Sequence, residues 1–207
     1  MEKGCNVSEK DCNNSSKYKK NDVIELAKKC GEQKKILVCG TTGFLENEKH
    51  QFGSHASQTV IVWSSNMSLG VNLLMNLAEK VGHILHDDFD VEIVEMHHRE
   101  KTDAPSGTAL SLGAAVAQGR GTTLQKSAVM ARIGKDSARQ KGEIGFASLR
   151  GGDVIGDHSI IFAGIGERIE LTHKASNRDI FAKGALRAAI WGSAKEPGFY
   201  SMRDVLR

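Results

Sequence analysis

Apolar residues follow two different regimes along this chain. Short continuous runs at Lys35–Gly40 (KILVCG) and Thr59–Trp63 (TVIVW) predict strands covered on both faces, as in a parallel sheet. Ahead of them, Val23, Ile24, Leu26, Ala27 and Cys30 recur at helical spacing, with Asp22 suited to cap the helix and Gly31 to end it. A weak helix is expected over Glu46–His55. From Ser68 the pattern changes. Val71, Leu73, Leu74, Leu77, Ala78 and Val81 predict an amphipathic helix, Phe89–Met96 alternates as a strand, and an Ala- and Leu-rich helix runs from Ser106 and Thr108 to about Val116. Residues 118–141 are polar and contain Gly, so a long mobile connection is expected. Strands near Glu143–Leu149, Val154–Ala163 and Glu167–Lys174, joined by Arg150-Gly-Gly-Asp153 and Gly164-Ile-Gly166, predict a mostly antiparallel sheet. A last helix, about Arg178–Ser193, is expected to be buried through Ile180, Phe181, Ala185, Leu186 and Ile190, before Pro197-Gly198 turns the chain. Residues 1–21 hold few branched apolar side chains and read as a mobile polar leader.

Composition narrows the function classes. At 207 residues and 40% hydrophobic content the chain can bury a substantial core. A net charge of +3 with Lys and Arg spread along the sequence leaves no footprint for nucleic acid. No apolar stretch approaches the roughly 18–20 residues that span a bilayer, so no membrane partner is expected. Cys5, Cys12, Cys30 and Cys39 form no C-x-x-C pair, which argues against a structural zinc and for a reducing, cytoplasmic home.

The chemistry concentrates in Glu95–Ala109, EMHHREKTDAPSGTA. Pro105-Ser-Gly-Thr108 combines a rigid turn, a glycine that permits close approach, and hydroxyls at a helix start whose free N–H groups favour an anion. Lys101 adds a compact positive charge. Imidazoles exchange protons near neutral pH, and consecutive extended residues point in opposite directions, so His97 and His98 should differ in role. A surface histidine pair and an ordinary N-cap without a ligand are the plainer readings of the same residues. A metal held by His97, His98 and Asp103 is disfavoured because adjacent imidazoles diverge and no third ligand stands at a recognised spacing, so no metal is expected.

This string resembles the signature of the dihydrodipicolinate reductases, also called 4-hydroxy-tetrahydrodipicolinate reductases. The resemblance extends through Cys39-Gly-Thr-Thr-Gly-Phe44, Ser64–Met67, Gly142–Ala147, Arg150–Asp153, Gly166-Glu-Arg168, Thr172–Ser176 and Met202–Leu206. It implies reduction of a small cyclic dicarboxylate by NADH or NADPH in diaminopimelate and lysine synthesis. By the same resemblance His97 and Lys101 are catalytic proton carriers, and His98, Gly107 and Thr108 bind substrate. Gly40, Thr41, Thr42, Ser64, Ser65, Asn66, Met67 and Arg178 would meet the cofactor. The implied fold class is α/β plus α+β: an incomplete Rossmann-like parallel-sheet domain, residues 22–67 and 178–207, with an inserted mixed-sheet domain for substrate binding and oligomerisation, residues 68–177. A homotetramer is implied as well.

Members of that family begin with a strand and a G-x-x-G-x-x-G phosphate loop, and no such loop precedes Val23. The expectation is therefore a chain lacking its first βαβ units. Two alternatives to a working reductase follow from this: a catalytically silent dicarboxylate-binding or assembly subunit, and a truncated gene product.

Overall fold

A computed structural model describes residues 20–207. The expected leader lies outside the described residues except for Lys20 and Asn21, which already belong to the first helix. The chain divides into two compact units, one containing residues up to Met67 together with Phe181–Arg207, the other Ser68–Ile180.

The first unit is a parallel sheet with helices. Helix α1 (Lys20–Glu32) starts two residues before Asp22, which sits in its first turn, where a carboxylate is favoured by the helix dipole. Strand β1 (Leu37–Cys39), helix α2 (Glu46–Ser54) and strand β2 (Val60–Trp63) follow. The sheet order is β1–β2–β8, all parallel, with β8 spanning Gly198–Tyr200. The turn expected at Pro197-Gly198 leads directly into this strand, a run of three residues too short to show a period. Helix α7 (Met202–Val205) ends the unit. Val23, Ile24, Ala27, Leu37, Cys39, Phe52, Ala56 and Ile61 form its core.

Helix α6 (Asp179–Gly192) occurs close to its expected position but buries a different face. Gly184, Ala188 and Gly192 are its buried residues, while Leu186 and Ile190 are 63% and 66% exposed. The reason is steric. A Cβ on Gly192 would stand 3.2 Å from Val60 and 3.4 Å from Ile36, so the helix approaches its neighbours through a row of small residues that carries no hydrophobic signal.

The second unit is a five-stranded mixed sheet covered on one face by two helices, α3 (Leu69–Leu85) and α4 (Gly107–Gly119). Ser68 caps α3 by accepting from Val71 N–H, and Ser106 caps α4 by accepting from Ala109 N–H. The strands are β3 (Asp90–His97), β4 (Ala128–Val129), β5 (Ile144–Arg150), β6 (Gly156–Ala163) and β7 (Arg168–Ala175), in the order β4–β5–β3–β6–β7. Pairings of β3 with β6 and β6 with β7 are antiparallel, but β3 with β5 and β4 with β5 are parallel, so the sheet is less antiparallel than its turns suggested. Alternation along β3 is strict: Val91, Ile93, Glu95 and His97 are buried, and the residues between them are only half buried. Val91, Ile93, Ile144, Phe146, Ile160 and Phe162 meet Val71, Leu74, Ala78, Leu112 and Val116 in the core.

The stretch 118–141 contains more structure than expected. Helix α5 (Leu124–Ser127) leads into β4, and two arginines fasten the following loop to the sheet. Arg132 pairs with Glu92 at 2.5 Å and Glu143 at 2.9 Å; Arg139 pairs with Glu92 and donates to Val91 O at 2.8 Å.

Helices α3 and α4 cross at glycines. A Cβ on Gly119 would collide with the backbone carbonyl of Glu79 and lie 2.9 Å from His83 N. Gly119→Ala should therefore cost about 1–3 kcal/mol of stability in urea unfolding, the range for overpacking a tight contact. Gly107→Ala, where an added Cβ meets nothing within 4 Å, should change stability by less than about 0.5 kcal/mol. Equal effects at the two positions would contradict this account of the crossing.

Candidate functional site

The buried alternation of β3 carries a carboxylate and an imidazole beyond the apolar core. Val91 and Ile93 fill the core; two residues on, Glu95 is 1% exposed and His97 8% exposed on the same face. A carboxylate so deeply buried requires partners. Arg150, at the end of the neighbouring parallel strand β5, grips it with both terminal nitrogens: Nη1 donates to Oε2 and Nη2 to Oε1, each at 2.9 Å. Ser106 N–H donates to Oε1 at 3.2 Å, and His97 Nδ1 lies 2.5 Å from Oε2.

Burial pushes the Glu95 carboxyl up, but hydrogen bonds from Arg150, His97 and Ser148 outweigh it and hold the group below the usual carboxylate range. Glu95 is therefore the acceptor and His97 Nδ1 the donor, which leaves His97 Nε2 as the free nitrogen of the neutral ring. Gly156 makes room for it, since a Cβ there would stand 2.9 Å from His97 Nε2. Burial also lowers the imidazole's own proton affinity, and the Lys101 and Arg150 charges add to that, against the pull of Glu95.

A second imidazole completes the floor. His158, on β6, is 4% exposed and stacks edge-on against His97 with ring centroids 5.1 Å apart. Its Nε2 is 3.1 Å from Ser106 Oγ, the hydroxyl that caps α4. Burial, with the nearby His97, pushes its pKa down to about 4.

The loop from β3 to α4 is fixed to this floor by main-chain contacts. Arg150 Nη2 donates to Asp103 O at 2.6 Å and its Nε to Lys101 O at 3.4 Å, while Lys101 N–H closes a turn on His98 O at 3.1 Å. Of the residues expected in the substrate site, His97 is buried on the helix-covered face. His98, half buried, follows it as the chain leaves the strand. Lys101 is half buried with its Nζ on Asp103 Oδ1 at 2.7 Å, and Gly107 and Thr108 open α4. All five belong to one loop and the elements at its two ends. Glu95, Arg150, Ser106 and His158 were not assigned as working residues from sequence. Arg150 is 55 positions from its partner, and only the pairing of β3 with β5 brings the two together.

The residues expected to meet the cofactor lie in the first unit, except Arg178. Gly40–Thr42 and Ser64–Met67 leave the carboxyl ends of adjacent parallel strands β1 and β2, the usual place for a ligand in such sheets. Ser64 N–H bonds Cys39 O at 3.2 Å, Trp63 Nε1 bonds Thr41 O at 2.8 Å, and Ser64 Oγ donates to Asn66 O at 2.9 Å, so the two loops are tied side by side. Gly40, Thr42 and Ser65 are exposed, and the nearest atom to a Cβ on Gly40 would be Met67 Cε at 3.9 Å. Open backbone and hydroxyls at this point fit a nicotinamide cofactor. Arg178, exposed, precedes α6 and falls in the second unit.

Among the described residues no helix is long and apolar enough to cross a membrane, and no three His, Cys, Asp or Glu side chains gather as a metal site would require.

Residues 19–67 match the family described as dihydrodipicolinate reductase, N-terminus, and residues 70–206 match dihydrodipicolinate reductase, C-terminus. The 4-hydroxy-tetrahydrodipicolinate reductase of Thiobacillus denitrificans is 55% identical over 170 residues, covering 82% of this chain and 64% of the relative. That of Rhodopseudomonas palustris strain HaA2 is 59% identical over 171 residues, covering 83% of this chain and 63% of the relative. The chain thus spans a little under two thirds of the length of both. A solved structure of dipicolinate-bound dihydrodipicolinate reductase from Paenisporosarcina sp. TG-14 superposes with a TM-score of 0.72 at 25% identity, covering 89% of this chain and 69% of that one.

Acid should loosen this site before it affects the rest of the unit. His97, His158 and Glu95 all bind protons less readily folded than unfolded, so the stability they contribute at neutral pH is lost as pH falls. For His158 the window runs from about pH 6.5 down to about 4. Urea unfolding should show a declining stability across that window, and His158→Gln should make the slope shallower. An unchanged slope would remove His158 from the account. Glu95→Gln, which leaves Arg150 without its counter-charge, should cost about 3–5 kcal/mol at pH 7.

Proposed function

Because the chain belongs to the dihydrodipicolinate reductase family, we propose that it serves the reduction of 4-hydroxy-tetrahydrodipicolinate to tetrahydrodipicolinate, with loss of water, in the diaminopimelate and lysine pathway. The observation that carries the reading is the Glu95–His97 pair beside Lys101 and the start of α4: a proton-handling imidazole held next to an ammonium and the positive end of a helix. Such a set suits a doubly negative ring, the chemistry of the dipicolinate bound to the neighbouring solved structure.

In this reading one substrate carboxylate takes the N–H groups and hydroxyl of Gly107 and Thr108, and His98 orients the ring. Lys101 delivers the proton that the reduced ring and its departing hydroxyl require. His97 exchanges a proton through Nε2, its ring held in a single orientation by Glu95 and balanced by Arg150. Fixing the tautomer from behind, with a carboxylate that is itself neutralised, lets the imidazole accept and return a proton without passing it to Glu95. NADH or NADPH, when bound, supplies the hydride; Gly40–Thr42 and Ser64–Met67 are the residues that would hold it, with Arg178 as a further contact. Residues 22–67 and 178–207 serve as the cofactor domain and 68–177 as the substrate and oligomerisation domain. The partner surface is the sheet face away from α3 and α4, where Val94, Met96 and Ile161 are only half buried and Leu149 is 48% exposed, suited to cover by further copies in a homotetramer. The working compartment is the cytoplasm.

The test is oxidation of NADH or NADPH by the purified chain on addition of 4-hydroxy-tetrahydrodipicolinate. His97→Gln and Lys101→Met should each lower kcat/KM by about 10²- to 10⁴-fold, the range for general acid–base groups. Full rate in either variant would remove that residue from the mechanism. Calorimetric uptake of dipicolinate without any cofactor oxidation would instead identify a binding subunit.

A further inference from the structure

Lys101 and the start of α4 are already bridged by an anion that belongs to the chain. Asp103 Oδ1 lies 2.7 Å from Lys101 Nζ, and the backbone N–H of Gly107 faces the same carboxylate and favours its charge. Gly107 is assigned above to a substrate carboxylate, and the Lys101 ammonium stands beside it as the proton donor. The Asp103 side chain is 57% exposed against 21% for Lys101, so little holds it beyond these donors and its own backbone N–H. The backbone around it is fixed separately: Arg150 binds the carbonyls of Lys101 and Asp103 and is itself anchored by buried Glu95. Asp103 can therefore swing out by rotating its own side chain while the loop stays in place. Space for an arriving group exists, since a Cβ on Gly107 would meet nothing within 4 Å.

We propose that Asp103 is an internal competing ligand, an affinity-setting carboxylate that occupies the Lys101 and Gly107 donors until a substrate carboxylate displaces it. The proposal rests on reading residues 97–108 as the substrate site. In the resting protein the side chain keeps Lys101 folded against the helix start, so the ammonium need not be gathered from solvent when the dianion arrives. The hydrogen bond from Lys101 holds the Asp103 carboxyl below the usual carboxylate range, so the competing charge is present throughout the neutral region.

Competition and simple support predict opposite signs for one substitution. Asp103→Asn keeps the size of the side chain and removes its charge. Titration calorimetry of the full chain with dipicolinate should give a Kd about two- to fivefold lower in Asp103→Asn than in the parent, the span expected for an exposed ion pair. Asp103→Ser should shift Kd in the same direction. In a Lys101→Met background the gain from Asp103→Asn should shrink, because one of the two contested donors is gone. An unchanged or higher Kd in both Asp103 variants, with the parent binding normally, would overturn the proposal. Absence of dipicolinate binding in the parent would overturn the site reading, and this proposal with it.

Discussion

The buried Glu95 carboxylate is the constraint on which the site depends. It stands where the hydrophobic face of β3 would otherwise continue, and a lone carboxylate at that depth would be prohibitively unfavourable. Three groups make it tolerable: the two-pronged Arg150, the Ser106 N–H and the His97 ring. Each of those contacts also fixes something else. Arg150 pins the loop carbonyls of Lys101 and Asp103, Ser106 sets the first turn of α4, and His97 is left with Nε2 as its unprotonated nitrogen, against Gly156. A single burial problem, once solved, orients the imidazole, the ammonium loop and the helix start together.

Much of this was legible in the sequence because the informative residues are adjacent. EMHHREKTDAPSGTA displays the histidines, lysine and helix start in one string, and the alternation of β3 ends with His97 buried and His98, next to it, half buried. What could not be read were the groups that support them. Arg150 reads as one end of a turn, and its role exists only because β5 runs parallel beside β3 with His97 opposite Arg150. His158 sits in an alternating strand with no local sign that its ring will stack on His97. Long-range register carries that information, and periodicity along one segment does not contain it.

The fold shows the same division. Elements with a strong local period, such as α3 and β3, were placed nearly to their ends. Errors arose where the local signal was ambiguous or absent. Leu186 and Ile190 look like core residues on a helical wheel, yet the close approach of α6 is made by Gly184, Ala188 and Gly192. Strand β8 has three residues and is specified by its pairing with β2. The loop 130–142 is polar because its arginines bind Glu92, Glu143 and the edge of the sheet, a reason for polarity other than mobility.

The central claim is that ionised Glu95 takes the Nδ1 proton of His97 as a hydrogen bond and leaves Nε2 free. Nitrogen-15 NMR of the imidazole rings at neutral pH tests it most directly. A protonated Nδ1 and a bare Nε2 on His97, converting to a mixture of tautomers in Glu95→Gln, is the expected result. A proton on Nε2 in the parent protein, or a ring signal indifferent to the Glu95 substitution, would contradict the account.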